Sequence, residues 1–77
     1  MTRRRLPALS AAEVVRVLAR AGFKVDRIKG SHHHLRNPER PGARPVVPVH
    51  RGDLPPGTLR AIIRQAGLSI DEFLDLL

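Results

Sequence analysis

Histidines and cations gather in the middle of this 77-residue chain. Lys29-Gly30-Ser31-His32-His33-His34 holds three histidines in succession, and a fourth follows in Pro48-Val49-His50-Arg51-Gly52-Asp53. Histidine titrates near neutral pH without help, at about 6.5. A neutral imidazole can take the proton from a ribose 2′-hydroxyl. That oxygen then attacks the adjacent phosphorus, and a proton must reach the departing 5′-oxygen. Lys24, Arg27, Lys29 and Arg36 flank the histidines and could bind RNA by stabilising the extra charge on phosphorus. Gly30, with Ser31 beside it, would let an RNA backbone approach closely.

Other readings of the same residues compete. In a strand, His32 and His34 share one face and His33 takes the other, so at least one of the three only packs or meets water. His32 and His34 with His50 could ligate zinc, but no carboxylate stands at a convincing spacing, so neither a metal nor another cofactor is expected. His50 closes a strand and opens a loop; it is either a second proton carrier or a loop tie to Asp53. Arg60 and Arg64, four apart, either touch phosphate or form a solvated face. The region from Leu59 to Leu77 could be two helices of a helix-turn-helix. Its last helix, however, carries Asp71, Glu72 and Asp75 and no base, and a recognition helix should not meet phosphates with three carboxylates.

The elements that position these residues follow from pattern. Ser10-Ala11-Ala12-Glu13 is a capping box opening a helix with Ala11, Val14, Val15, Leu18 and Ala21 at helical spacing, stopped by Gly22. Phe23 to Lys29 reads as a strand (with Ile28 out of step), Gly30-Ser31 as a turn and Ser31 to Arg36 as a second strand. Residues 37–43 form a hairpin loop. Arg44 to His50 is a third strand, confined by Pro45 and Pro48 to an edge or a bulge. Thr58 is the expected cap of a helix reaching Gln65 or Ala66, and Ser69 with Glu72 opens a short final helix. The fold class is α+β: a helix, a three-stranded antiparallel sheet, a helix and a short C-terminal helix, with the helices on one face. Residues 1–9 read as a loose basic arm and 10–77 as a single domain.

Composition narrows the function. A chain this short holds one small domain that buries roughly 60% of its unfolded surface. The absence of Cys excludes disulfides, thiolate metal sites and cysteine catalysis. Pro7, Glu13 and Arg16 interrupt any apolar run behind the N-terminal arginines, so no signal or membrane segment is expected and a cytoplasmic location is. The net charge is +7. Residues 1–36 hold nine Lys and Arg against two acids, and the remainder holds five of each. A basic half-chain points to a polyanion, nucleic acid first. With two Phe and no Trp or Tyr, a base-stacking platform for single strands is not available.

Residues 12–77 resemble the HicA family of toxins from HicA–HicB toxin–antitoxin systems. The resemblance rests on Ala21-Gly22-Phe23, on Gly30-Ser31-His32, on Val47-Pro48-Val49-His50, on Leu54-Pro55-Pro56-Gly57-Thr58-Leu59-Arg60, and on Ile63-Arg64-Gln65-Ala66-Gly67-Leu68. It departs from the family at His33 and His34, in the loop through Pro38, Pro41 and Gly42, and in the arm. The resemblance implies a fold similar to double-stranded-RNA-binding domains. It implies a ribosome-independent, metal-independent endoribonuclease that cleaves mRNA and arrests translation and growth, with a HicB-type antitoxin that masks the site. The family's catalytic histidine falls on His32. Lys24, Arg27, Lys29, Gly30, Ser31, His34 and Arg36 are then expected to bind RNA, with His50 as an accessory group. The alternative is a non-catalytic double-stranded-RNA-binding module reading shape and backbone.

Overall fold

The computed structural model describes residues 4–77; residues 1–3, including Arg3 of the basic arm, lie outside the described residues. Helix α1 runs Ala11–Arg20. The capping box forms in both directions: Glu13 N–H donates to Ser10 Oγ at 3.2 Å and Ser10 N–H donates to Glu13 Oε1 at 2.9 Å. These bonds, the backbone one first, hold the Glu13 carboxyl below its usual range. The buried stripe is Ala11, Val14, Val17 and Leu18. Val17 therefore takes a place in the core that the helical spacing gave to Val15, which only packs against its margin.

Gly22 adopts φ +100° and turns the chain into β1, Lys24–Lys29. A Cβ there would lie 3.0 Å from Asn37 Nδ2, so this glycine also makes room for a neighbour. Asn37, buried at the end of the second strand, donates to Ala21 O at 3.1 Å and accepts from Glu39 N–H at 3.0 Å. It clamps the hairpin loop to the end of α1, a role its place beside Pro38 does not disclose.

Strands β1, β2 (His32–Arg36) and β3 (Val46–Pro48) form an antiparallel sheet in the order β1-β2-β3. The third strand is an edge, as its prolines require, but much shorter than Arg44 to His50. Backbone pairing continues beyond it at isolated points: Leu35 N–H donates to Pro45 O at 3.0 Å and Val49 N–H to Ser31 O at 2.7 Å. Pro45 and Pro48 have no N–H, which ends the regular ladder between them.

Helix α2, Pro56–Gln65, starts earlier than a Thr58 cap would place it. Pro55 is the N-cap without a side-chain bond, and Pro56 opens the helix. Proline is well suited to that first position, since the N–H it lacks would have had no helical partner. Helix α3, Ile70–Asp75, opens with the second capping box, Ser69 with Glu72, and buries Phe73. The core joins α1, α2 and α3 to Phe23, Leu35 and Val47 of the sheet region. Helices α1 and α2 pack over β3 and leave β1 at the far edge, so Val25 and Ile28 stay 42% and 59% exposed.

The described residues before Ser10, 4–9, join this body. Leu9 is buried, Leu54 N–H donates to Leu9 O at 2.8 Å, and Leu6 packs against the core. Arg4 reaches α3, 2.7 Å from Asp75 Oδ1 and 3.6 Å from Asp71 Oδ1. Among the described residues no helix is long and apolar enough to cross a membrane.

Candidate active site

The register of the β1-β2 hairpin decides which side chains meet. Lys29 lies opposite His32, Arg27 opposite His34 and Lys24 opposite Arg36. Directly opposed residues of an antiparallel pair project from the same face, with Cβ atoms about 4.5–5.5 Å apart. The open face of the sheet therefore carries two parallel rows, Lys24-Arg27-Lys29 and Arg36-His34-His32. His33 pairs instead with Ile28 and Val47. Val47 is fully buried, so His33 belongs to the helical side.

A β-bulge aligns the first row. The register shifts between Val25 and Arg27, which pair with the consecutive residues Leu35 and His34 and leave Asp26 as an extra residue. Lys24 and Arg27 are three apart and would otherwise project from opposite faces. Ile28 falling out of step with Phe23 and Val25 is the trace of this residue in the sequence. The Asp26 carboxylate stands 3.8 Å from Arg36 Nε, an exposed pair that relieves part of the crowding of like charges.

Gly30 and Ser31 form the two-residue turn between Lys29 and His32. Gly30 has φ +60° and Ser31 does not have a positive φ, the pattern of a type II′ hairpin turn. A Cβ on Gly30 would meet nothing within 4 Å, so backbone handedness is what calls for glycine there. The turn leaves an open tip beside Lys29 and His32. His50 is exposed and follows Val49, whose N–H bonds to the Ser31 carbonyl. It stands near this end of the sheet. Among the described residues no hydrogen bond joins His50 to Asp53; Asp53 forms a backbone bridge with Ser10.

On its other flank β2 meets β3, with His32 opposite Pro48 and His34 opposite Val46. A groove of about 410 Å³ opens there, lined by His32, Val46, Pro48 and, from α2, Thr58, Ala61 and Gln65 among others. Gln65 Oε1 accepts the Val46 N–H at 3.2 Å and ties helix to strand. Pattern reading missed Gln65 and the groove, because the contact joins residues 19 apart and leaves no local signal. Arg60 and Arg64 are exposed on α2 and do not line this groove. Among the described residues no group of three His, Asp or Glu side chains is arranged to hold a metal ion.

The arrangement suits a polyanion. Cations lie on one side of β2, an uncharged groove on the other, and two histidines between them. Comparison with known proteins bears on the same segment. The family model described as the HicA toxin of bacterial toxin–antitoxin systems matches residues 11–68, from the first residue of α1 to the residue before the second capping box. No curated protein matches the chain. The matched span holds the sheet, its cationic row, His32 and the groove, and leaves out α3 and the segment before α1. On that match over most of its length, the chain belongs to the HicA toxin family.

Proposed function

We propose that the chain is a cytoplasmic endoribonuclease that cleaves mRNA with His32 as general base and so arrests translation and growth. The neutral His32 imidazole takes the proton of a ribose 2′-hydroxyl. The 2′-oxygen attacks phosphorus, the bond from phosphorus to the 5′-oxygen breaks, and the imidazolium returns the proton to that oxygen. The products are a 2′,3′-cyclic phosphate and a 5′-hydroxyl. Lys29 holds the scissile phosphate with Arg27 or Arg36, and stabilises the charge that grows on it. Lys24, His34 and the Gly30-Ser31 turn guide the flanking backbone. No resident cofactor takes part, and a HicB-type antitoxin masks this face.

The observation that carries the reading is the rung in which Lys29 lies opposite His32, beside the open Gly30 turn. An imidazole and an ammonium group on one rung, with open space at the turn, support a proton carrier beside a phosphate-binding cation. The test is expression from a tightly repressed promoter, with growth and bulk mRNA followed beside His32→Ala, and cleavage of RNA by both purified proteins. Loss of the base should lower cleavage about 10²–10⁴-fold with the circular dichroism spectrum unchanged. A folded His32→Ala protein that cleaves at the parental rate would move the chemistry away from His32. RNA binding with a steep salt dependence and no cleavage by the parent would make the chain a binding module.

A further inference from the structure

The groove between β3 and α2 has a chemical bias of its own. Its floor is the half-buried Val46 and Pro48, and its helical wall is opened by the small Ala61. Its volume lies within the range of about 300–1,000 Å³ for small-ligand clefts. Among the described residues no Lys, Arg, Asp or Glu lines it. A nucleotide whose phosphate sits on the cations of β1, with its ribose at His32, can place its uncharged base on this side of β2.

We propose that the groove seats one nucleobase flanking the cleaved linkage and selects a keto base, guanine or uracil, over an amino base, adenine or cytosine. The inference rests on the reading of His32 as the cleaving group. The selecting group is Gln65. Its amide orientation is fixed, because the Val46 main-chain N–H can donate to the oxygen but would oppose the nitrogen. The Nε2 end, with its two N–H donors, is left for a ligand. A base seated with its exocyclic group at Nε2 offers an acceptor there as guanine O6 or uracil O4, whereas adenine N6 or cytosine N4 in the same seat would bring donor against donor. The Thr58 hydroxyl, on the same wall, can donate or accept and adds no bias.

Cleavage of a degenerate RNA pool, with both product ends sequenced, tests this on the parent and two variants. The parent should enrich guanine and uracil at one position beside the cut, by several-fold to about tenfold, the scale of a single hydrogen bond. Gln65→Glu keeps an oxygen for Val46 N–H and replaces the donor end with an acceptor. It should turn the preference at that position toward adenine and cytosine. Ala61→Leu retains a good helix former and fills the groove, and should flatten the preference while lowering the rate. A parent that cleaves without keto preference overturns the inference and leaves the nuclease reading standing. So does an unchanged preference in Gln65→Glu or, where that variant does not fold, in Ala61→Leu. A folded parent that cleaves no RNA overturns both.

Discussion

The two faces of the sheet are made by alternate residues of the same strands, and they act on the fold in opposite senses. On the helical face, Leu35 and Val47 are almost wholly buried against Val14, Leu18, Ile62 and Phe73. On the open face, Lys24 stands opposite Arg36, Arg27 opposite His34 and Lys29 opposite His32. Lys24 and Arg36 are like charges directly opposed, and Arg27 and Lys29 add to the same cationic row, an arrangement that weakens a sheet. One face supplies the cohesion and the other spends part of it on an arrangement with no structural return. An ordered feature that weakens the fold locally is where function is best sought.

Breaking the cohesive face should have the largest effect. Leu35 lies on β2 between His34 and Arg36 and is 1% exposed. Leu35→Ala should cost about 2–5 kcal/mol, a large share of the stability of a domain this small. Urea unfolding should show a much lower midpoint or no cooperative transition. A loss under about 1 kcal/mol would mean that the helices do not depend on this face.

Relaxing the open face should act in the reverse direction. Arg27→Thr removes the middle cation of the Lys24-Arg27-Lys29 row and adds a β-branched residue suited to a strand. It should raise stability by about 0.2–1 kcal/mol in low salt. RNA binding should weaken, with the slope of log K against log salt falling by about 0.7, the value for one phosphate contact on a single strand. An unchanged slope with a gain in stability would remove Arg27 from the RNA-binding row.

The smallest effect is on the helices, through pH. Glu13 and Glu72 are held below the usual carboxylate range by backbone bonds from Ser10 and Ser69, with the serine hydroxyls adding to it. Each folded value lies below the unfolded one. Their contribution is therefore full above the unfolded value and is lost as pH falls through the folded one. Thermal unfolding followed from neutrality into acid should show a shallow decline. Glu13→Gln, which can still accept the Ser10 N–H, should flatten its α1 share. An identical decline in that variant would place the acid sensitivity elsewhere.

What could be read from the sequence was local. Both capping boxes were legible because each joins residues three apart, and both form. The split of His32 and His34 from His33 follows from the strand period alone. The break in phase at Ile28 was visible, but its meaning was not, because a bulge is defined against the partner strand. Helix α2 starts before Thr58 because Pro56 fits the first turn, where the N–H it lacks needs no partner, whereas the sequence pattern points to a threonine cap. Asn37, Gln65 and Arg4 act across 16, 19 and 71 residues, and such partners leave no mark in a local pattern. The nuclease assignment itself rested on the Gly30-Ser31-His32 motif in a basic setting. Register then added the company His32 keeps.

The outer margin of β3 has a further consequence. Pro45, Val47 and Val49 lie on the paired side of the strand, which leaves Val46 and Pro48 to face outward. The Val46 donor is taken by Gln65, and Pro48 has none to give. A foreign strand approaching there finds no free N–H at Val46 or Pro48, so the edge better able to take another strand is β1, where Lys24, Arg27 and Lys29 repel a like edge. In the language of polymers the sheet is close to monofunctional. Two copies joined through β1 would cap each other, and edge-to-edge growth would stop at the pair instead of running on into a fibre.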